Sequence, residues 1–323
     1  MKKIAQAVAI VTLMIASVIT VPVHAEACSS DKSGLSISPV NQPILLEPGS
    51  ERNYTFEVQN IGEAPATFKV YAQPYSMTGE DYTVNFSDTD NKFTQLARWI
   101  TIKDTNGQYV EKATFQVEAC SKTEVEYHVS VPDNAPNGGQ YAVIFAEGMN
   151  AADGGGIKAV PRVGLVIYGH ATGTTVRSYD LTDFAIKNGV DETLTDAAGN
   201  KITKSVIHAS VKINNTGNVD LTANTTLTAK NVFGTVLYQG EAASIVLPET
   251  SRKVTSVWEK TPLFGLFNVT YTVNIAGDIQ NHTAMILIMP AFIVVIVLIL
   301  VAATTFWIVM TVKKQRERKN RRV

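Results

Sequence analysis

The stretch Arg52-Asn-Tyr-Thr-Phe-Glu-Val-Gln-Asn-Ile-Gly62 decides the fold class of this chain. Its apolar side chains Tyr54, Phe56 and Val58 alternate with polar ones, which is the period of a β-strand with one face in a core. The stretch ends in Asn60-Ile61-Gly62, and Asn and Gly tolerate the positive φ angles of tight turns. It therefore predicts a core strand that turns directly into a second strand.

The same layout of strand, Asn-x-Gly turn and strand recurs at Lys212–Gly217 in the second half of the chain. Short alternating strands separated by Pro, Gly, Asn and Asp are typical of β-sandwiches. The fold class that this pattern predicts is an all-β ectodomain of two β-sandwiches in tandem, covering residues 26–173 and 174–279. Further alternating runs supply its strands: Thr123–Val131, Tyr141–Ala146, Ser205–Ile213 and Asn268–Ile275.

The N-terminal segment has the composition of a secretory signal. Lys2 and Lys3 precede an almost wholly apolar run, and Val23-His24-Ala25 offers a cleavage site after Ala25. We therefore predict that residues 1–25 are a signal peptide and that the following residues are exported.

The C-terminal segment has the composition of a membrane anchor. Residues 284–312 contain no charged side chain, and the 22 residues from Ala291 to Val312 are almost wholly apolar. In a helix, a run of about 20 such residues spans the hydrocarbon core of a bilayer. The tail, residues 313–323, carries seven Lys or Arg and one Glu, which places it in the cytoplasm by the positive-inside rule. The predicted location is the cell membrane, with a single span and the N-terminus outside.

The charge distribution excludes one class of partner. Without the two N-terminal lysines and the basic tail, the chain has 19 basic and 28 acidic residues. Nucleic-acid binding proteins neutralise phosphates with Lys and Arg, so an acidic ectodomain argues against nucleic acid as the external partner.

The only cysteines are Cys28 and Cys120, both on the predicted exported side, where oxidation is possible. A disulfide between them would tie the mature N-terminus to the first sandwich. In the chain-entropy model, closing a loop of this length stabilises the fold by about 4–5 kcal/mol. Two unlinked thiols are the alternative.

No catalytic constellation is visible in the sequence. The histidines are scattered singly, no pair has metal-ligand spacing, and neither a nucleophile elbow nor a phosphate loop occurs. We predict a protein that is not an enzyme and that has no cofactor, catalytic residue or metal site.

Aromatic residues in loop positions are the candidates for contact with a partner. Trp99 and Trp258 are expected in the cores, because sandwich cores commonly bury a tryptophan. Tyr75 and Phe264 lie in predicted loops, where a ring is available to another molecule.

The ordered motifs resemble those of the WxL-interacting proteins of Gram-positive cell surfaces. The resemblance covers nearly the whole mature chain and is carried by these segments: SISPVNQPILLEPGSERNYTFEVQNIG from Ser36, VPDNAPNGGQYAVIFAE from Val131, VPRVGLVIYGHATG from Val160, VKINNTGN from Val211 and IVLPETSRKVTSVWEKTPLFGLFNVTYTV from Ile245.

This resemblance implies two immunoglobulin-like domains, the first associated with peptidoglycan and the second with WxL-type surface proteins. It supplies no catalytic residue. We therefore expect a non-catalytic, membrane-anchored scaffold whose first domain contacts peptidoglycan or another cell-wall polymer and whose second domain binds an exported protein. The alternative is an adhesin stalk or an accessory subunit of a membrane complex, without affinity for the cell wall.

Overall fold

The computed structural model describes residues 34–149, 160–191 and 204–320. The predicted signal peptide, residues 1–25, and Cys28 lie outside these ranges.

The described residues between Leu35 and Ala171 form two facing β-sheets, which we call the N-terminal sheet pair. One sheet has the strand order β1-β3-β10-β7-β8 and the other β2-β12-β11-β4-β9, and a short hairpin of β5 and β6 is added after β4. The neighbouring strands are antiparallel, except that β2 runs parallel to β12. The elements are β1 (Leu35–Ser38), β2 (Asn41–Leu46), β3 (Glu51–Asn60), β4 (Ala66–Pro74), β5 (Ser76–Thr78), β6 (Thr83–Asn85), α1 (Leu96–Trp99), β7 (Ile100–Lys103), β8 (Tyr109–Val110), β9 (Lys112–Val117), β10 (Lys122–Ser130), β11 (Gly138–Gly148) and β12 (Arg162–Ala171).

The core of this pair lies between its two sheets. On β3, Phe56 and Val58 are buried, as their alternation predicts, and they meet Phe68 of β4 and Ile144 of β11 from the opposite sheet. Trp99 is half-buried against the same core, at the end of α1.

The described residues between 179 and 288 form the C-terminal sheet pair. Its sheets have the strand orders β13-β14-β17 and β16-β15-β18-β19, and all neighbouring strands are antiparallel. Trp258 is buried in the core between the sheets, stacked on Tyr238 and edge-on to Phe267. The strands are β13 (Tyr179–Asp191), β14 (Lys204–Asn215), β15 (Leu221–Asn231), β16 (Val236–Val246), β17 (Ser251–Trp258), β18 (Gly265–Ile275) and β19 (Asp278–Ile288).

The chain ends in a long apolar helix, α2 (Ala291–Asn320). Its segment Ile293–Lys314, 22 residues long, is not buried against the rest of the protein and is long and apolar enough to cross a membrane. The prediction of an all-β chain with one C-terminal apolar helix is confirmed. The division into two immunoglobulin-like domains stays a prediction.

The predicted bounds of the second sandwich and the anchor need a correction. Residues 284–288 lie in β19 and not in the helix, and β19 pairs with β18 from Asp278 to Ile288. Ile288 is buried in the core of the C-terminal sheet pair. Strand pairing and core burial therefore outweigh the apolar composition of this segment, and the sheet extends nine residues beyond the predicted boundary at 279.

The two Asn-x-Gly turns are built differently from the prediction. Neither Gly62 nor Gly217 is among the residues with positive φ. Instead the buried Asn215 side chain donates from Nδ2 to the carbonyls of Val219 and Val246, and its Oδ1 accepts the Gly217 amide. Asn60 does the same in the N-terminal pair, where it donates to three carbonyls and accepts the Gly62 amide. In both turns a buried amide side chain therefore supplies hydrogen bonds to the backbone.

Candidate binding surfaces

The outer face of the N-terminal sheet that contains β4, β11 and β12 carries the first candidate site. Strand register places Tyr71, Phe145 and Gly164 in one row, and Lys69, Glu147 and Arg162 in the next. Alternation along each strand turns these side chains away from the core. The sheet therefore presents aromatic and charged groups together on an outer face.

Arg162 covers the aromatic row. Its guanidinium carbon lies 3.5 Å from the centroid of the Phe145 ring, and its Nη2 donates to Gln73 at 2.6 Å. Gly164 leaves the space for this ring, because a Cβ there would lie 2.8 Å from Val143 Cγ2 and 3.0 Å from Phe145 Cε1. Cations that lie over an aromatic face are attracted by its quadrupole.

A cleft of about 960 Å³ opens beside this row, between β4 and the segment that follows β6. Phe86 stands edge-on to Phe145 at a centroid distance of 4.9 Å and forms one wall. Lys112 of β9 pairs in register with Tyr71 and lines the cleft on its other side. The charged lining residues are Lys69, Lys112, Glu147 and Arg162, so the lining of this cleft has a net positive charge, whereas the whole chain has a net charge of −1.

Tyr71 remains a hydrogen-bond donor in this cleft. Its hydroxyl donates to Oε2 of Glu147. Burial, and then the hydrogen bond to Glu147, raises the pKa of Tyr71 to about 12. The hydroxyl is therefore protonated at neutral pH and holds the Glu147 carboxylate in place at the cleft wall.

The second candidate site is a charged groove of about 570 Å³ on the outer face of the sheet β13-β14-β17. Lys212 Nζ donates to Glu80 Oε1 at 2.5 Å across this groove. The hydrogen bond to Lys212 lowers the pKa of the Glu80 carboxyl, and the same bond raises the pKa of Lys212. The other charged or titratable residues of the groove are Asp183, Lys187, His208 and Lys253.

The two sheet pairs meet at an aromatic junction cluster. It is centred on the buried side chains of Phe93, Tyr141 and Leu247, of which Leu247 comes from the C-terminal pair. The half-buried residues around this centre are Tyr75, Met77, Tyr82, Tyr168 and Ile245.

Polar contacts surround the junction cluster. The Tyr141 hydroxyl donates to Asp220 Oδ1 and accepts the Asp220 amide, each at 2.9 Å. The Tyr82 hydroxyl accepts the Leu247 amide at 2.5 Å. Gly138, with a φ of +103°, allows a close approach, because a Cβ there would lie 2.3 Å from the Asn218 carbonyl oxygen.

The predicted contact residues fall in two different environments. Tyr75 lies between β4 and β5, where its ring packs against Phe86 and Tyr168 at centroid distances of 6.3 and 6.4 Å. Burial raises its pKa above the ordinary value. Phe264 lies in the loop before β18 and is 65% exposed. The structure does not bring these two residues together, and their role in contact stays a prediction.

Cys120 lies in the turn between β9 and β10, with a φ of +56°, and is disulfide-bonded. Because Cys28 lies outside the described residues, the pairing of these two cysteines stays a prediction. Among the described residues, no group of three or more His, Cys, Asp or Glu side chains could hold a metal ion.

Sequence reasoning missed Arg162, Glu147 and Lys112. The cleft unites them through cross-strand register, and nothing in their local sequence signals this. Tyr71 lies four residues before Tyr75, and nothing in the local sequence distinguishes it as a site residue.

No protein-family model matches this chain, and no curated protein matches it. Among solved structures, it is similar to the Class 5 fimbriae chaperone CfaA at 12% identity and a TM-score of 0.35, over 80% of this chain and 100% of that one. It is also similar to the E. coli chaperone DraB at 12% identity and a TM-score of 0.36, over 78% and 98%. The PapD-like domain 7 of human CEP192 matches at 10% identity and a TM-score of 0.30, over 46% and 92%.

Proposed function

We propose that this chain is a non-catalytic binding scaffold of the cell surface, anchored in the membrane by α2 and similar in role to the WxL-interacting proteins. The N-terminal sheet pair lies outside the cell and contacts peptidoglycan or another cell-wall polymer. The C-terminal sheet pair binds another exported protein, and the basic tail lies in the cytoplasm.

The cleft beside Tyr71 is the observation that carries this proposal. Ligand sites combine an apolar wall with a few well-placed polar groups, and here Phe86 supplies the wall. Peptidoglycan presents amides and carboxylates on its peptides. Arg162 and Lys112 are suited to such carboxylates, since hydrogen bonds between ionised partners are the strong ones.

The charged groove on the sheet β13-β14-β17 supports a protein partner for the C-terminal pair. Strand β13 is an edge of this sheet, and open edges and adjoining faces accept extended segments of other proteins. The groove has both signs of charge: Glu80 and Asp183 are acidic, and Lys187 and Lys253 are basic. A complementary charge pattern on a protein partner would contribute more to the specificity of binding than to its affinity.

The test is sedimentation of the full chain, held in detergent micelles, with purified insoluble peptidoglycan. We expect the protein to pellet with the polymer, and Lys112→Glu to weaken this binding about tenfold or more, as the loss of one charged hydrogen bond predicts. Lys230→Glu is the matched control, because it makes the same change of charge at an exposed position of the C-terminal pair.

Two results would contradict parts of the proposal. A folded chain that stays in the supernatant would rule out the cell-wall contact and favour an adhesin stalk or an accessory subunit of a membrane complex. Equal binding by the Lys112→Glu variant and its Lys230→Glu control would move the contact away from the cleft. Capture of a WxL-type protein from a cell-envelope extract by the immobilised chain tests the second contact separately.

A further inference from the structure

One end of the C-terminal sheet pair carries three exposed apolar segments. The hairpin tip between β15 and β16 contains Val232 and Phe233, and Phe233 is 89% exposed. The loop between β17 and β18 contains Leu263 and Phe264, which are 78% and 65% exposed. The third segment is the end of β19 and the residue after it, where Met285, Leu287 and Met289 are exposed.

Strand register places these segments at one level. Asn231, the last residue of β15, pairs with Phe267, and Phe267 pairs with Ile286 of β19. Val232 and Phe233 lie in the turn that follows Asn231, so they project beyond that line, on the side of Ile288. Gly265 pairs with Ile288, so Leu263 and Phe264, which precede Gly265, lie at this level or beyond it.

This level is also where α2 begins. Only Met289 and Pro290 separate the end of β19 from Ala291. If α2 crosses a bilayer, residues so close to its first turn lie at the membrane surface, whichever side of the membrane the sheet pair occupies. On that condition the apolar tips face lipid and not bulk water.

We propose that the tips Val232–Phe233 and Leu263–Phe264 insert into the interfacial region of the bilayer and seat the C-terminal sheet pair on the lipid surface. This inference rests on the proposed membrane span of α2. Large exposed apolar residues gain from burial in lipid, and aromatic rings prefer the interface between water and hydrocarbon. A second copy of this chain or another membrane protein over the tips would instead shield them from lipid.

The experiment measures quenching of tryptophan emission by lipid. The full chain carrying Trp307→Phe receives either Phe233→Trp or Phe264→Trp and is reconstituted into phosphatidylcholine vesicles brominated on the acyl chains near the headgroup. We expect both new tryptophans to emit at a shorter wavelength and to lose emission relative to vesicles without bromine. Trp99 and Trp258 remain in every variant and supply a common background.

Ile279→Trp in the same Trp307→Phe background is the matched control. Ile279 is an exposed apolar residue, 57% accessible, on the same strand as Ile288. Nine residues of strand place it about 30 Å from the helix end of the sheet. We expect no loss of emission at this position. Quenching at Phe233→Trp and Phe264→Trp no greater than at Ile279→Trp would overturn the inference.

The unmodified chain separates this inference from the proposed function. Trp307 lies within the segment Ile293–Lys314, so it should be quenched by lipids brominated deep in the chain if α2 spans the bilayer. Quenching at Trp307 but not at the tips overturns only the seating on lipid. No quenching at Trp307 overturns the membrane span and the inference with it.

Discussion

At the scale of single residues, two buried asparagines decide how the strands turn. Asn60 and Asn215 are each 2% exposed, and each side-chain amide bonds to backbone carbonyls and to the backbone amide two residues further on. A buried polar group without a partner destabilises a fold more than a normal hydrogen bond stabilises it. This explains why a polar residue stands at the end of an otherwise apolar core face in both sheet pairs.

We expect Asn215→Ala to lower the free energy of unfolding by about 1–3 kcal/mol, because it leaves the carbonyls of Val219 and Val246 and the Gly217 amide without their partner. Urea unfolding of the full chain in detergent micelles measures this loss. Asn224→Ala is the control, at an exposed position of β15, and should change stability by less than about 0.5 kcal/mol. Equal effects of the two substitutions would contradict the role of Asn215.

At the scale of single elements, β19 is the strand that amino-acid composition alone would assign in part to the membrane helix. Its last residues, from Ala284, belong to an uncharged run that continues into α2. Yet β19 completes the sheet β16-β15-β18-β19 and buries Ile288 in the core. Without β19, strand β18 would become an edge along its whole length.

We therefore expect a chain of residues 26–289 to fold and a chain of residues 26–277 to aggregate or to unfold. The shorter chain exposes the hydrogen-bonding edge of β18 and loses the burial of Ile288, and open edges of this kind promote aggregation. Circular dichroism and size-exclusion chromatography of the two chains measure the difference. A monomeric, β-rich chain ending at 277 would show that β19 is dispensable.

At the scale of the whole molecule, the junction cluster joins the two sheet pairs into one body. Leu247 is 4% exposed between Phe93 and Tyr141, and the bonds of Tyr141 to Asp220 and of Tyr82 to the Leu247 amide surround it. The salt bridge of Lys92 Nζ with Glu249 Oε1, at 2.5 Å, lies at the same contact.

We expect Leu247→Ala to destabilise the molecule by about 2–5 kcal/mol, as the removal of a buried leucine does, and to separate the unfolding of the sheet pairs. Calorimetry should show one transition in the unmodified chain and two in the variant. Leu237→Ala is the control, because Leu237 is 43% exposed on β16. A single transition in the Leu247→Ala variant would show that the polar contacts suffice to couple the two pairs.

The sequence by itself determined the local features of this protein. Alternation at Tyr54, Phe56 and Val58 predicts a core strand because side-chain direction in a strand has a period of two, and the structure confirms it. The long uncharged run predicts an apolar helix because a membrane-spanning helix is recognised by the length and the apolar composition of its segment. Both signals act within a short window, so they can be read from neighbouring residues.

Only the tertiary structure decided what depends on distant residues. The cleft unites Tyr71 with Arg162 and Lys112, and the junction unites Tyr141 with Asp220 and Leu247. The extent of β19 also depends on distant residues, because its apolar residues pair with β18 and for that reason are not part of the helix. The register between strands that are far apart in the chain sets these contacts. This register depends on how both sheets pack over one core. No local pattern of residues specifies that packing.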